Sequence, residues 1–194
     1  MPDPDAIVAL KAAMRCDARA RRDVLAAEQR AQAAQTIAAR PFPLPPGAVV
    51  SGFMPLQSEI NPLPLMRRLA DAGAELALPV VAGRGRPLVM RSYCFGAPLV
   101  AGVWGIREPP ADAPEVFPDV LLVPLLAFDR RGHRLGYGAG YYDMTIAALR
   151  ARKPVLAAGI AYAAQEVPEV PITPRDARLD LVLTEREVID SRTA

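Results

Sequence analysis

The sequence is poor in the residues that build metal centres, disulfides and nucleophilic dyads. Its 194 residues include one histidine and two cysteines. Cys16 and Cys94 lie far apart and form no CxxC motif, so we expect both to be reduced and structural. His133 cannot complete a zinc site with them, and no Ser–His–Asp or Cys–His arrangement is apparent. Zinc chemistry and histidine-based acid–base catalysis are therefore disfavoured.

The sequence also lacks long hydrophobic runs and a strong charge of either sign. No apolar run approaches the length of a membrane span, and the acidic start lacks the features of a signal peptide. A net charge of +2 is too small to argue for nucleic acid. We expect a cytoplasmic protein with no membrane or nucleic-acid partner, and a monomer is favoured. Length and 52% hydrophobic residues predict a single domain over 1–194 with a sizeable core.

Alternating apolar runs and helical segments predict an α/β fold. We expect three layers: a mainly parallel sheet with helices on both faces, and a long N-terminal helix. Residues 5–39 contain neither Gly nor Pro, which predicts a single helix there. Further helices are predicted over 61–72 and 144–150. Strands are predicted over 48–53, 75–81, 87–93, 120–124, 154–161 and 179–184.

The first helix carries a basic face. Lys11, Arg15 and Arg22 lie at spacings of four and seven, which puts them on one side of a helix. Spacing alone favours a solvated face, and the alternative is that Lys11 and Arg15 point into a cleft and contact an anion. A narrow apolar stripe is expected to be buried at Ile7, Leu10, Met14 and Leu25.

A glycine-rich loop joins strand 120–124 to helix 144–150. Glycines at every second position, 136, 138 and 140, allow positive φ angles and close approach of a ligand. Strand, glycine loop and helix in this order suit an anion at the helix amino end. The spacing matches neither the dinucleotide fingerprint nor the nucleoside triphosphatase loop. The alternative is a long surface turn, which would not need the neighbouring Arg130, Arg131, Arg134, Tyr141, Tyr142 and Asp143.

Three other residues allow two interpretations each. Asp143 either carries a cation beside phosphates or is an aspartate favoured by the helix dipole. Glu59 follows the first strand's carboxyl end, where ligands gather in α/β sheets, although most loop glutamates are only solvated. Trp104, the only tryptophan, either packs or stacks on a flat ring.

Four blocks of sequence follow one another in a recognisable order. They are Lys11-x-x-x-Arg15, Pro55-x-x-x-Glu59-Ile60, Gly105-Ile106-x-Glu108-Pro109 and the long block 123–143. Together they resemble the 5-formyltetrahydrofolate cyclo-ligase (5,10-methenyltetrahydrofolate synthetase) family over nearly the whole chain, and the last block is highly specific. The resemblance implies an ATP-dependent, Mg²⁺-requiring enzyme that converts 5-formyltetrahydrofolate to 5,10-methenyltetrahydrofolate. In the family's mechanism the formyl oxygen attacks the γ-phosphate, and N10 then closes the ring as phosphate leaves.

The resemblance also implies roles for individual residues. ATP contacts are expected at Lys11, Arg15, Arg134, Leu135, Gly136, Tyr137, Gly138, Ala139, Gly140, Tyr141 and Tyr142. Folate contacts are expected at Met54, Glu59, Trp104, Tyr137, Gly138 and Tyr141. Magnesium ligands are expected at Asp143 and Asp180. Three residues depart from the family's pattern: Ala139 stands where glycine or lysine is commoner, Met14 replaces leucine, and Trp104 occupies a variable position.

Other functions fit parts of the sequence. A sibling ligase would keep the ATP loop and take another N-formyl substrate. A non-catalytic nucleotide or folate binder would not need Lys11, Arg15 and Asp143 together. An RNA-binding role would rest on the arginine-rich first helix, which lacks interleaved aromatic residues, and it ranks last.

Overall fold

The computed structural model describes residues 4–192, and helices and strands alternate along them. The helices are α1 (Pro4–Asp23), α2 (Ala27–Ala39), α3 (Leu63–Asp71) and α4 (Tyr141–Arg150). The strands are β1 (Val49–Ser51), β2 (Glu75–Val80), β3 (Val89–Tyr93), β4 (Val100–Ala101), β5 (Arg107–Glu108), β6 (Val120–Pro124), β7 (Ala127–Phe128), β8 (Arg134–Leu135), β9 (Leu156–Ile160), β10 (Leu181–Leu183) and β11 (Val188–Asp190).

Seven strands form the central sheet in the order β11-β10-β9-β6-β1-β2-β3. The five inner strands, from β10 to β2, pair in parallel, and the edge strands β3 and β11 are antiparallel to their neighbours. From β1 the chain moves outward through β2 and β3, and from β6 it moves outward in the other direction. The boundary between β1 and β6 is therefore the topological switch point, where open α/β sheets bind ligands.

Strand β6 shows how the sheet builds two cores. Successive side chains of a strand point to opposite faces. Val120 and Leu122 share a core with α2 and α3. Leu121 and Val123 share the other core with α4. All four side chains are fully buried, and the predicted layers, with a mainly parallel sheet between helices, are confirmed.

The prediction of one helix over 5–39 is wrong in one respect, because the chain breaks at residues 24–26 between α1 and α2. Val24 in this break is 81% exposed. α2 packs in the core under the sheet, whereas Ala18 of α1 packs in a separate small cluster with Leu126 and Leu135. The two helices serve different cores, and no Gly or Pro marks the change of direction.

The predicted apolar stripe of α1 is also partly wrong. Leu10 is 52% exposed, while Met14 packs partly buried against the small cluster. The face that α1 buries instead contains Lys11, Ala18 and Arg22. These residues lie three to four residues apart or at multiples of that spacing, so the helical period was present but its buried members are largely basic.

Short strands escaped prediction because two or three residues carry no period. The missed strands are the hairpins β4–β5 and β7–β8 and the edge strand β11. Cys16 and Cys94 are free and exposed, so they contribute little to packing. Within residues 4–192, no helix combines the length and the apolar character needed to cross a membrane.

Candidate active site

Two loops leave the sheet at the switch point and form the candidate site. The loop after β1 covers 52–62, and the segment after β6 begins at Leu125. Because β1 and β6 are adjacent and parallel, both loops emerge at the same edge of the sheet. The second segment forms the β7–β8 hairpin and then the glycine-rich loop, from which α4 returns along the sheet.

The glycine-rich loop uses its glycines in two ways. Gly138 and Gly140 take left-handed φ angles of 101° and 71°, which favour glycine. Gly140 directly precedes α4, whose first N–H groups are therefore available to an anion. Gly136 does not use the positive φ that a glycine allows. A Cβ at Gly136 would meet nothing within 4 Å, so this glycine leaves open space beside the backbone.

The basic face of α1 lies against this loop. Arg15 donates from Nε to the carbonyl oxygen of Gly136 at 2.9 Å. Its guanidinium carbon lies 3.4 Å from the position that a Cβ on Gly138 would take. Lys11 is 9% exposed and pairs with Asp176 at 2.5 Å. The interpretation of a solvated basic face is therefore wrong for Lys11, and Arg15 contacts the glycine-rich loop.

Arg134 lies buried behind the loop, between two acidic groups. Its Nη2 donates to Oδ1 of Asp143 at 2.6 Å, and Nη1 donates to the carbonyl of Ala177. The backbone N–H of Ala177 donates to the same Asp143 oxygen at 3.0 Å. Burial lowers the pKa of Arg134, while the charges of Asp143 and Asp176 act against this shift. Arg134 thus ties the first turn of α4 to the segment that precedes β10.

Asp176 is a site carboxylate that the sequence prediction missed. Besides Lys11, the backbone N–H and the hydroxyl of Thr173 donate to its Oδ2, at 2.6 and 3.1 Å. Burial alone would raise the pKa of Asp176, but the Lys11 ammonium and the Thr173 donors hold it below its usual value. The available signal was a second aspartate four residues before Asp180.

Tyr137 connects the glycine-rich loop to the loop after β1. Its hydroxyl donates to Oε1 of Glu59 and accepts from Nη1 of Arg22 at 2.6 Å. Arg22 also donates from Nε to Oγ of Ser58 at 2.9 Å. Burial raises the pKa of Tyr137, and the Glu59 charge raises it further, so the phenol stays protonated. Neither Arg22 nor Ser58 was predicted as a site residue.

Trp104 lies on the exposed rim beside the start of α4. Its ring centroid is 6.0 Å from that of Tyr141, in an edge-on arrangement. The residue is 64% exposed and has a left-handed φ of 58°, which is uncommon outside glycine. A core packing role for Trp104 is therefore excluded, and the indole presents a large apolar face to solvent.

Comparison with known proteins identifies the family of the chain. Residues 7–185 match the model of the 5-formyltetrahydrofolate cyclo-ligase family. The chain belongs to this family. The 5-formyltetrahydrofolate cyclo-ligase of Mycolicibacterium smegmatis is 38% identical over 154 residues, which cover 74% of this chain and 76% of that protein. The corresponding protein of Escherichia coli K12 is 35% identical over 183 residues, covering 88% and 97%.

A solved structure extends the match to the fold. The NMR structure of 5,10-methenyltetrahydrofolate synthetase from Aquifex aeolicus has a TM-score of 0.79 and 30% identity, covering 94% of this chain and 93% of that one. The predicted family, and with it the prediction of an enzyme of the cyclo-ligase type, is confirmed.

The remaining site residues implied by the family resemblance differ in burial and in the groups that their side chains contact. Tyr142 is near enough to Glu59 and Arg134 for their charges to act on its pKa, which burial raises first. Met54 lies in the loop after β1 and packs partly buried against the core. Leu135 is 1% exposed and packs in the small cluster, so a ligand can contact only its backbone. Ala139 lies exposed on the loop.

Asp180 is the family-based prediction that the structure does not bring to the site. Its Oδ2 accepts from the N–H of Ala157 at 2.7 Å and from Nη2 of Arg150 at 2.8 Å. Arg150 ends α4 and Asp143 lies in its first turn, so Asp143 and the arginine that Asp180 contacts are about 10 Å apart along the helix. The segment from Ala177 to Asp180 runs beside α4, contacting Asp143 at one end of the helix and Arg150 at the other. Within residues 4–192, no three His, Cys, Asp or Glu side chains are grouped to hold a metal ion.

The arginines at the start of the loop also differ from prediction. Arg130 and Arg131 were expected to add positive charge to the anion loop, but both side chains are more than half exposed and pair with glutamates that are at least partly exposed, and Arg131 also reaches the buried Asp129. Their partners are Glu166, Glu187, Asp129 and Glu169. Of the three loop arginines, Arg134 faces the site.

Proposed function

We propose that this protein catalyses the ATP-dependent conversion of 5-formyltetrahydrofolate to 5,10-methenyltetrahydrofolate, with release of ADP and phosphate. One observation carries the proposal. At the switch point of the sheet, the Tyr137 hydroxyl of the glycine-rich loop contacts the Glu59 carboxylate of the neighbouring loop. A phosphate-binding loop and a carboxylate that can recognise a pterin therefore lie side by side, as a reaction between ATP and a folate requires.

The ATP side is supported by the space and charge around the glycine-rich loop. Gly136 leaves room at the backbone, and the amino end of α4 favours an anion. Lys11 and Arg15 supply positive charge from α1. We assign the nucleotide to these two cations, Arg134 and the loop from Leu135 to Tyr142.

The folate side is assigned to the loop after β1 and the aromatic rim. Glu59 already accepts from Tyr137 through Oε1 and from the N–H of Leu56 through Oε2 at 2.8 Å. A carboxylate has further lone pairs, so it can also accept from the N–H groups of a pterin. Trp104 and Tyr141 offer apolar faces for the flat ring. Met54, Tyr137 and Gly138 complete the proposed contacts.

Asp143 fits the role of a magnesium ligand. Its hydrogen bonds from Arg134 and Ala177 both reach Oδ1, and within the described chain none reaches Oδ2. Magnesium usually binds through one or two carboxylates together with substrate phosphates. Mg²⁺ bound there would neutralise part of the negative charge of the ATP phosphates. Asp176, next to Lys11 and Arg134, replaces Asp180 as the second carboxylate of the proposal.

The chemistry then needs mainly positioning and charge stabilisation. A formamide oxygen is a poor leaving group, and its attack on the γ-phosphorus, with loss of ADP, converts it into a phosphate ester. N10 next attacks the formyl carbon, the carbon–oxygen bond breaks, and N10 loses its proton as phosphate departs. Lys11 and Arg15 stabilise the charge of the transferring phosphoryl group, while Glu59 and Tyr137 orient the pterin.

The test is formation of the methenyl chromophore by purified protein. We expect absorbance to rise with 5-formyltetrahydrofolate, ATP and Mg²⁺ together, with one ADP per product, and not when ATP or Mg²⁺ is omitted. Folded protein that hydrolyses ATP only with another N-formyl compound would favour a sibling ligase. Folded protein that binds either ligand without turnover would favour a binding protein, and both outcomes would overturn the proposal.

A further inference from the structure

Arg22 is a buried cation that the proposed reaction leaves without a role. It lies in the last turn of α1 and is 2% exposed. A buried guanidinium is costly unless hydrogen bonds compensate for lost hydration. Its partners are therefore informative, and they belong to two different loops rather than to α1.

The guanidinium fork of Arg22 joins those loops. Nε donates to the Ser58 hydroxyl, one residue before Glu59, and Nη1 donates to the Tyr137 hydroxyl in the glycine-rich loop. The Ser58 hydroxyl donates a hydrogen bond to a carboxylate oxygen of Asp23, so its oxygen is oriented to accept from Arg22. A planar fork can serve two acceptors in fixed directions, which a lysine ammonium cannot reproduce.

Arg22 also fixes the direction of the next hydrogen bond. A guanidinium has no acceptor atom, so the Tyr137 oxygen must accept from it. The phenol proton is then directed to Oε1 of Glu59, as the structure shows. The Arg22–Tyr137–Glu59 chain thus has one polarity, and it sets which Glu59 lone pairs remain for a ligand.

The loop that carries Glu59 is held in an unusual conformation. Gln57 has a left-handed φ of 55° immediately before Ser58. A non-glycine residue in this region is strained and persists only where the surroundings enforce it. The hydrogen bonds from Arg22 to Ser58 and from the Leu56 N–H to Glu59 hold the two sides of this strained residue.

We propose that Arg22 is a positioning residue that aligns the Glu59 carboxylate for the folate through Tyr137 and Ser58. The inference rests on the proposed function, because it assigns Glu59 to the folate. It adds that Arg22 couples the two half-sites, because one guanidinium contacts both the glycine-rich loop proposed for the nucleotide and the loop that carries Glu59.

The test is a double-mutant cycle on folate affinity, measured by calorimetry with and without a non-hydrolysable ATP analogue. Arg22→Lys keeps the charge and loses the fork, and Tyr137→Phe removes the hydroxyl alone. We expect each change to weaken 5-formyltetrahydrofolate binding about tenfold. The double variant should bind less weakly than the sum of the two single effects predicts, because part of the Arg22 effect passes through Tyr137. The difference in folate affinity between nucleotide-bound and nucleotide-free protein should be smaller in Arg22→Lys than in the wild type. Arg21→Lys, on the exposed side of the same turn, is the matched control and should resemble the wild type.

Additive effects in the cycle, or a lower melting temperature with unchanged folate affinity, would overturn the positioning role. If Arg22→Lys does not fold, Ser58→Ala removes one of the two Arg22 contacts. It should weaken 5-formyltetrahydrofolate binding at an unchanged melting temperature, and unchanged affinity would overturn the proposal. Wild-type protein that binds no 5-formyltetrahydrofolate would overturn the proposed function itself, and that result is visible before any variant is compared.

Discussion

The arginines of α1 and those that precede the glycine-rich loop face opposite environments. Arg15 reaches Gly136 across 121 positions of sequence. Arg131, only a few residues before Gly136, pairs with Glu169 on the outside, with its side chain 51% exposed. The sequence pattern favoured solvated basic residues on α1 and placed Arg130 and Arg131 beside the anion loop. The difference teaches that the face of a packed helix positions a cation more reliably than closeness along the chain.

The same contrast holds for carboxylates at the two ends of α4. Asp143 begins the helix at the ligand edge of the sheet, and Asp180 pairs with the residue that ends it. Each aspartate has an arginine partner, at 2.6 and 2.8 Å. The two distances are similar, but Arg134 is buried whereas Arg150 is 34% exposed. The presence of an arginine partner therefore does not separate a proposed site residue from a structural one, and its place in the fold does.

The largest expected effect tests this pair of aspartates. Asp143→Asn should lower kcat at least about 100-fold, because an amide cannot replace a magnesium-binding carboxylate. Asp180→Asn should change kcat less than about twofold and stability by about 0–1 kcal/mol, as for other solvent-accessible ion pairs. Methenyl formation and thermal melts distinguish the two. A comparable loss of kcat in both variants would contradict the separation.

The next effect tests the arginines. Arg15→Gln should raise the KM for ATP roughly tenfold or more, because a charged hydrogen bond contributes about 1.5–3 kcal/mol. Arg131→Gln should leave this KM within about twofold, since the Arg131 side chain is 51% exposed and pairs with the exposed Glu169. Steady-state kinetics at saturating folate measures both constants. Equal effects on the KM for ATP would mean that the total positive charge near the loop determines ATP binding, rather than the direction in which each arginine points.

A smaller effect tests the open space in the loop. Gly136→Ala should raise the KM for ATP several-fold at an unchanged melting temperature, because its φ is not positive and a Cβ meets no protein atom within 4 Å. Gly96→Ala, with a φ of 94° on an exposed turn, should show the opposite pattern of lower stability and unchanged KM. A destabilised Gly136→Ala protein would show that position 136 is constrained by folding.

The smallest effect concerns pH and compares a carboxylate of the site with one outside it. The pKa of Asp176 is lowered on folding, since Lys11 and Thr173 outweigh burial. Its stabilisation is therefore complete above its unfolded value of 3.8 and is lost as pH falls through the folded-state pKa, at up to about 1.4 kcal/mol per pH unit. Asp176→Asn should flatten this acid dependence in urea unfolding at any ionic strength.

Asp190 provides the control for that measurement. Arg192 lowers the pKa of this exposed aspartate to about 2. The difference between Asp190→Asn and the wild type should disappear at high salt, because exposed charges are screened. An Asp176 effect that salt also removes would place that carboxylate in solvent.

The sheet was predictable because the strands are continuous apolar runs long enough to carry a signal. Prediction of the site was less complete for a physical reason. Arg22 and Lys11 resemble surface cations in a helical pattern, and only tertiary contacts show that they are buried. Asp176 and Asp180 are both aspartates before β10, and their assignment depends on how the chain passes α4. The break between α1 and α2 has no glycine or proline, so packing rather than local propensity determines it.

The parallel pairing of β1 with β6 also limits how the protein can be redesigned. Neighbouring strands lie about 4.8 Å apart, and Val50 of β1 and Val120 of β6 are partners in this pairing, with fully buried side chains. The anchor points of the two loops cannot move apart without deforming the sheet. A variant intended for a bulkier second substrate should therefore change the length of the 52–62 loop, because the sheet fixes the distance between the starting points of the two loops.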